Sequence, residues 1–186
     1  MESTLKQFLR GKTAVSTQSP TWQWHNYPRR LHQQTFLSSD LPPDELTSSA
    51  RAILLRGNEV MVIRDFQNDP YIIPGGRREP GETVMDTLRR ELLGETGWSV
   101  GTTAVIGTIY FEHLTPKPPD YKYPHPHFFW PIFVAQADQF YPKAIQPEKH
   151  AVSSEVRLIS EVIAWDLGDG QIELLKAALN ARQGAT

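Results

Sequence analysis

The chain has 186 residues, the size of one domain with a short extension, and 39% of them are apolar, which is enough to build a core. Its 19 Lys and Arg residues nearly balance 21 Asp and Glu residues, which argues against a broad nucleic-acid surface. Cysteine is absent, so disulfides, thiolate metal sites and cysteine nucleophiles are excluded. We expect a soluble, cytoplasmic protein with no membrane partner, because no apolar run approaches the roughly 18 residues of a membrane span and the first residues do not resemble a signal peptide.

Two regions differ in composition. Residues 1–45 are rich in Ser, Thr, Gln and Pro, and we expect a partly irregular N-terminal extension there. Within it, residues 5–10 suit one or two helical turns, and the alternation of Trp22 and Trp24 suggests a short strand. The main domain is expected to occupy residues 46–186.

The main domain begins with β-prone segments. Residues 52–55 and 60–63 are apolar runs, and Gly57 and Asn58 between them suit a hairpin turn. A third strand is predicted at residues 71–73, ending at a Pro74-Gly75-Gly76 turn.

One helix is predicted over residues 83–96. Thr83 is a suitable N-cap with Asp86 in a capping-box position, and Gly97 suits a left-handed C-cap. Apolar residues recur every fourth position, at Val84, Leu88 and Leu92.

The remaining elements are strands at residues 104–111, 127–136 and 155–159 and an amphipathic helix at about 171–181. Pro131 predicts that its strand is an edge strand or carries a bulge. Strands interrupted by one helix and closed by another indicate a mixed α/β fold.

Two carboxylates on the predicted helix suggest a cation site. Glu91 and Glu95 are four residues apart, so their side chains share one helix face at about 6 Å and repel each other when no cation is bound. Hard divalent cations such as Mg²⁺ prefer oxygen ligands. The flexible Gly75-Gly76 turn allows backbone carbonyls to approach the same cation.

The residues around this pair form a recognisable motif. Gly76, Glu82, Arg90-Glu91-Leu92, Glu95 and Gly97-Trp98 fall at the spacing G-x5-E-x7-R-E-U-x-E-E-x-G-U, where U is apolar. This pattern resembles the box of the Nudix hydrolase family, and the preceding Tyr71 to Gly75 segment is also similar to that family.

The resemblance implies a fold, an activity and a set of roles. The implied fold is a Nudix-like α/β/α sandwich with a mixed sheet, and the implied reaction is hydrolysis of a nucleoside diphosphate linked to another moiety, with Mg²⁺ or Mn²⁺. Glu91, Glu95 and the Gly75 carbonyl would bind the metal, and the two glutamates would also be catalytic. The positions implied to be structural are Gly76, Glu82, Arg90 and Gly97.

One position departs from the family pattern. Gly94 stands where the family has the first glutamate of its E-E pair, so one helical carboxylate is missing. A weakened or altered metal set is one consequence. The alternative is a catalytically weak or inactive nucleotide-binding or regulatory module on the same fold.

A catalytic base outside the box is usual in this family. Glu155 is our candidate because it begins a late strand, and Glu148, Glu112 and Glu161 are alternatives. Each has the competing interpretation of an ordinary solvated glutamate.

Other side chains suggest contacts with a nucleotide-derived substrate. Arg77 and Arg78 follow the double glycine and suit phosphate binding, although a solvated loop pair explains them equally well. The loop aromatic and histidine residues are candidates for stacking on a base or for packing the loop; they are Tyr121, Tyr123, His125, His127 and Phe128.

Two further possibilities concern metals and assembly. His113, His125 and His127 suggest a zinc site only weakly, because no Cys or helical partner accompanies them. An edge strand and the extension leave room for a homodimer.

Overall fold

A mixed ten-stranded β-sheet with a helix on each face forms the fold. The computed structural model describes residues 2–25, 27–146 and 153–183. The helices are α1 (Glu2–Leu9), α2 (Val84–Thr96), α3 (Ile159–Val162) and α4 (Gln171–Gln183), with short 3₁₀ helices at Asp44–Leu46 and Pro142–Ala144. The strands are β1 (Ala14–Gln18), β2 (Thr21–Trp24), β3 (Tyr27–Leu37), β4 (Ser49–Arg56), β5 (Glu59–Arg64), β6 (Pro70–Tyr71), β7 (Gly75–Arg77), β8 (Trp98–His113), β9 (His127–Phe140) and β10 (Ser153–Leu158).

The sheet is mixed because one central pair is parallel. Its strand order is β1-β3-β8-β9-β4-β5-β10, with β2 beside β3, β6 beside β5 and β7 beside β4. Strands β4 and β9 run parallel, and the other described strand pairs are antiparallel.

The two faces of the sheet carry separate apolar clusters. Leu88 and Leu92 of α2 pack on one face, and Leu174 and Leu175 of α4 pack on the other. Alternate residues of β4 and β5 supply the two clusters, as the period of two in a strand requires. The predicted α/β fold, with helices on both faces of a mixed sheet, is confirmed.

Helix α2 begins and ends where its sequence predicts. The Thr83 side chain accepts the Asp86 N–H, and the Asp86 carboxylate accepts the Thr83 N–H, which completes a capping box. Gly97 adopts φ 74° and donates its N–H to the Leu93 carbonyl. These caps fix the orientation of the helix that carries the box.

The segment predicted as a turn before the box is a strand. Gly75 and Gly76 belong to β7 and pair with Arg51 and Ala50 of β4. Gly75 has φ 133°, and a Cβ there would lie 2.3 Å from the Ala50 carbonyl oxygen. Only glycine therefore allows this pairing, which a reading of Gly-Gly as a turn missed.

Of the two alternatives predicted for the strand around Pro131, an edge position or a bulge, the edge position was wrong. Strand β9 lies between β8 and β4, and Pro131 pairs with Thr108 of β8. The bulge alternative is supported by the β8–β9 ladder, whose register shifts at three places, the nearest to Pro131 being between Val105 and Gly107 of β8.

The extension is more regular than its composition suggests. Strand β3 has 11 residues and pairs with β8 inside the main sheet. Two of its inward-facing residues are polar: Gln33 donates to the Asp169 carboxylate at 2.8 Å, and Thr35 donates to the Asp169 carbonyl at 2.7 Å. Because polar residues with a distant partner occupy these inward-facing positions, the sequence of β3 lacks the apolar alternation that is typical of a strand.

None of the helices in residues 2–25, 27–146 and 153–183 combines the length and apolar character required to span a membrane.

Candidate active site

Glu91 and Glu95 of α2 meet the two glycines of β7. The Glu95 carboxylate accepts the Gly75 N–H at 2.8 Å. The Glu91 carboxylate lies against Gly76 so closely that a Cβ on that residue would be 2.4 Å from the Glu91 carboxyl carbon. Each glutamate is only 7% exposed. The two carboxylates therefore converge on one short stretch of backbone.

Arg90 connects this pair to the loop before the helix. Its Nε and Nη2 donate to the two carboxylate oxygens of Glu82 at 2.6 and 2.9 Å. Its Nη1 donates to Glu91 at 2.6 Å, and Nη2 also donates to the Arg77 carbonyl at 2.9 Å. Arg90 thus fixes Glu91 from one side while holding the loop against α2.

The Glu82–Arg90 pair stays ionised at neutral pH. The hydrogen bond from Arg90 lowers the pKa of Glu82 to about 2, despite partial desolvation, and the Glu79 N–H and the Thr87 hydroxyl add to this effect. The same hydrogen bond raises the pKa of Arg90. The two charges and their bidentate geometry make this contact a rigid support.

The side chains at the Gly75-Gly76 segment of β7, called the bend below, suit a hard divalent cation. Glu91 and Glu95 supply buried carboxylate oxygens at a point where glycine leaves room beside the backbone. Within the described residues, no cluster of three or more His, Asp or Glu side chains is placed to hold a metal. Mg²⁺ is often held by one or two carboxylates, with water and substrate phosphates completing its shell. The donor set therefore fits Mg²⁺ or Mn²⁺.

Gly94 leaves an open position on the same helix. A Cβ built there has no heavy atom within 4 Å. Its carbonyl accepts the Gln146 N–H at 2.8 Å. A Cβ can therefore be introduced at this position without a steric clash.

Glu155 is not brought to this bend. It pairs with Val62 in the β10–β5 ladder, and Val62 belongs to the cluster under α4, on the sheet face opposite α2. Arg157 and Arg64 donate to its carboxylate at 2.6 and 3.3 Å, and these hydrogen bonds lower the pKa of Glu155.

Two of the three alternative bases lie on elements that the structure describes. Glu112 is on β8, opposite His32 of β3 and His127 of β9. Glu161 is on α3, and Glu148 lies outside the described residues.

The two arginines after the double glycine have different environments. Arg78 donates to the Glu82 carbonyl at 2.6 Å and to the Asp44 carboxylate at 2.7 Å. It therefore connects the loop before α2 to the 3₁₀ helix at Asp44–Leu46. Arg77 is exposed and stands 5.0 Å from the centre of the Tyr123 ring.

Arg77 also lines a pocket of about 270 Å³ that includes space open to solvent. Its other lining residues include Ser49 at the start of β4, Ser48 directly before it, and Trp130 of β9. Tyr121 and Tyr123 line it from the loop before β9, and Phe128 lines it from β9. Of the side chains that the sequence suggested for stacking on a base, the structure places these three aromatic residues at a pocket.

Two further lining residues, Trp22 and Arg29, come from the extension and were missed by the sequence analysis. Arg29 is only 3% exposed. The sequence offered only a weak indication that Arg29 faces inward, namely its even spacing from Leu31 and Gln33 on the same side of β3.

The histidines belong to the aromatic packing beside this pocket. His113 stacks on His125 with ring centres 4.7 Å apart, and its Nε2 lies 3.3 Å from the Tyr121 hydroxyl. Burial, followed by the charges of His125 and Arg29, lowers the pKa of His113 to about 4. His127 instead bonds to Tyr110 at 2.8 Å. The three rings do not form a metal cluster in the described part of the chain.

Comparison with known proteins identifies the family. A NUDIX domain model matches residues 45–169. A Bacillus subtilis (strain 168) protein named "Putative 8-oxo-dGTP diphosphatase" is 34% identical over 62 residues, which cover 33% of this chain and 42% of that protein. The match thus spans less than half of this relative.

Two solved structures share the fold. The Bacillus subtilis pyrophosphohydrolase BsRppH superposes with a TM-score of 0.58 at 14% identity, over 89% of this chain and 97% of that one. A NUDIX hydrolase from Nitrosomonas europaea gives 0.52 at 18% identity, over 74% of this chain and 90% of that one. The chain therefore belongs to the NUDIX domain family, and the family membership predicted from the box is confirmed.

Proposed function

We propose that this protein is a divalent-metal-dependent pyrophosphohydrolase that cleaves a nucleoside diphosphate linked to another moiety. The observation that carries the proposal is the convergence of Glu91 and Glu95 on Gly75 and Gly76. The names of the similar proteins, a diphosphatase and a pyrophosphohydrolase, support cleavage of a phosphorus anhydride bond.

The residues at the bend would hold Mg²⁺ or Mn²⁺. Glu91 and Glu95 would be ligands through their carboxylates, and the family resemblance adds the Gly75 carbonyl. When bound, the cation would act as a Lewis acid and neutralise charge on the phosphate oxygens. The part played by Arg90 is to keep Glu91 at the bend, because it binds Glu91 and Glu82 together.

The proton of an attacking water needs an acceptor within hydrogen-bond reach. Glu155 is held by two arginines on the sheet face away from α2, so its position does not favour this role. We assign the acceptor to one of the two carboxylates at the bend, Glu91 or Glu95. Arg77 projects from the strand that carries the bend and is the arginine better placed to contact a substrate phosphate; Arg78 is occupied by Asp44 and Glu82.

A second candidate is a nucleotide-binding module with little or no turnover. Gly94 favours it, because the box lacks one carboxylate and the described residues offer no third acidic or histidine ligand at the bend. This candidate predicts nucleotide binding that a chelator leaves unchanged.

A substrate panel separates the two candidates. Purified protein is incubated with nucleoside triphosphates (8-oxo-dGTP among them), nucleotide sugars and dinucleoside polyphosphates, each with Mg²⁺, Mn²⁺ or chelator. The enzymatic proposal expects metal-dependent release of a nucleoside phosphate product from at least one compound. Absence of turnover on the whole panel, together with chelator-insensitive nucleotide binding, would favour the second candidate.

A further inference from the structure

The pocket beside the bend is built around two guanidinium groups. Arg77 directly follows Gly76 on β7 and pairs with Ser49 of β4. Arg29 reaches the same pocket from β3. The side chain of Arg77 follows Gly76 by one residue and so lies on the sheet face opposite Glu91, which places the pocket and the Glu91 carboxylate on the two sides of β7. Among the described strands β7 pairs only with β4, so a nucleotide bound at the glycines can place a second group in the pocket by passing over the open edge of β7.

Aromatic rings orient both guanidinium groups. Arg29 lies 5.7 Å from the centre of the Trp22 ring and 5.1 Å from that of Tyr121. Arg77 lies 5.0 Å from the centre of the Tyr123 ring. A ring covers the face of a guanidinium, while the N–H donors lie in its plane and stay directed toward its edge. Such stacked arginines are pre-organised to bind the planar or tetrahedral oxygens of an anion.

The charge of the pocket has one sign. Its lining, as the described residues form it, contains two arginines, five aromatic residues and two serines, but no carboxylate. Burial lowers the pKa of Arg29, Tyr121 opposes this effect, and the charge of Arg77 lowers the pKa further. Burial raises the pKa of Tyr121, which keeps its phenol neutral at pH 7. An anion between the two arginines would relieve their repulsion.

We propose that this pocket binds an oxyanion of the substrate other than the phosphate attacked at the bend, and that Arg29 makes the enzyme prefer nucleotides that carry such a group. The group can be a terminal phosphate or a carboxylate on the leaving moiety. This inference rests on the proposed function. Arg29 and Trp22 lie outside residues 45–169, so the preference comes from the extension of this chain rather than from the matched domain.

The first test measures binding without turnover. Inorganic phosphate is titrated into chelator-treated protein while tryptophan fluorescence is followed, because Trp22 and Trp130 line the pocket. Arg29→Lys keeps the charge but loses the planar fork, and Arg77→Gln removes an exposed charge with little risk to folding. Each should weaken phosphate binding about 10-fold or more, as expected for the loss of a charge-assisted hydrogen bond.

A matched arginine variant serves as the control for this titration. Arg56 also stacks on an aromatic ring, 5.4 Å from the centre of Trp98, but lies at a different surface and binds Glu59. Arg56→Gln should leave phosphate binding unchanged. Equal binding by wild type, Arg29→Lys and Arg77→Gln, with all three folded by circular dichroism, would overturn the proposal.

The second test uses pairs of substrates that differ in one charge. UDP-glucuronate and UDP-glucose differ by a carboxylate, and ATP and its γ-methyl ester differ by one negative charge on the terminal phosphate. We expect kcat/KM to be about 10- to 100-fold higher for the more anionic member of at least one pair, and Arg29→Lys to remove most of that ratio. The pair that shows the ratio identifies the source of the oxyanion.

Failure of this inference is distinguishable from failure of the proposed function. Turnover with equal kcat/KM within both pairs would overturn the oxyanion pocket and leave the hydrolase intact. Phosphate binding that depends on Arg29 in a protein without turnover would support the pocket and contradict the hydrolase.

Discussion

The Glu91 carboxylate occupies the space that a side chain on Gly76 would fill. A Cβ on Gly76 would lie 2.4 Å from the Glu91 carboxyl carbon and 2.5 Å from each of its oxygens. The glycine is therefore required by the position of a carboxylate on another element, and this contact brings α2 and β7 together at the candidate metal site.

Gly76→Ala should displace Glu91 with only a modest effect on folding, because the atoms that must move are the end of a flexible side chain. We expect kcat/KM to fall about 100-fold, the size of effect produced when a group at the reacting centre is misplaced by about 1 Å. Gly94→Ala is the matched control, since it adds a methyl group to open space on α2. It should keep activity and stabilise the protein by up to about 1 kcal/mol in urea unfolding. Equal activity of the two variants would contradict the contact.

Glu95→Gln should retain the hydrogen bond from the Gly75 N–H through its amide oxygen while losing the negative charge. We expect a loss of about 100-fold in activity with little change in unfolding free energy, since the metal loses a charged ligand. Glu148 lies outside the described residues, so Glu173→Gln in the first turn of α4 serves as the control. Comparable rates for the Glu95 and Glu173 variants in steady-state assays would remove Glu95 from the metal site.

Gly94→Glu should raise the affinity for Mg²⁺, because it restores a carboxylate three residues after Glu91 where a side chain has space. We expect about a 10-fold tighter Kd by calorimetry. Gly94→Gln is the control for helix propensity, because it has nearly the same shape and no charge. Identical titrations for the Glu and Gln variants would show that this position does not contribute to metal binding.

The Glu82–Arg90 pair makes part of the stability depend on pH. Arg90 lowers the pKa of Glu82 to about 2 in the folded protein, below the usual value of 4.5. The stabilisation is therefore fully present above about pH 4.5 and is lost as the pH falls toward 2. Glu82→Gln should destabilise the protein by about 2 kcal/mol at pH 7 and by much less at pH 2.5. Urea unfolding at both values measures this, and a difference independent of pH would contradict the assignment.

The sequence was most informative where local rules and the tertiary structure agree. Helix α2 was predicted from its capping residues and its apolar period, and the Thr83 and Gly97 caps form as expected. The double glycine was misread because β7 depends on a contact with the Ala50 carbonyl, which no local pattern reveals. Strand β3 was underestimated because Gln33 and Thr35 face inward to meet Asp169.

In the candidate site, too, some residues could be predicted from local patterns and others could not. The box residues follow from spacing, and α2 presents Glu91 and Glu95 on one face because they are four residues apart. Arg29 and Trp22 reach the pocket because the local β2–β3 hairpin is joined to the main sheet by the long-range pairing of β3 with β8. Their part in the pocket could not be predicted from the chain alone.

The most direct test of the central claim is a titration with Mn²⁺ followed by electron paramagnetic resonance, on wild type and on the Glu91→Gln/Glu95→Gln double variant. The free-ion signal should decrease with wild type as Mn²⁺ binds, and it should remain with the double variant while circular dichroism shows both proteins folded. Equal Mn²⁺ uptake by the two proteins, or no uptake by wild type with or without nucleotide, would contradict a metal site formed by Glu91 and Glu95.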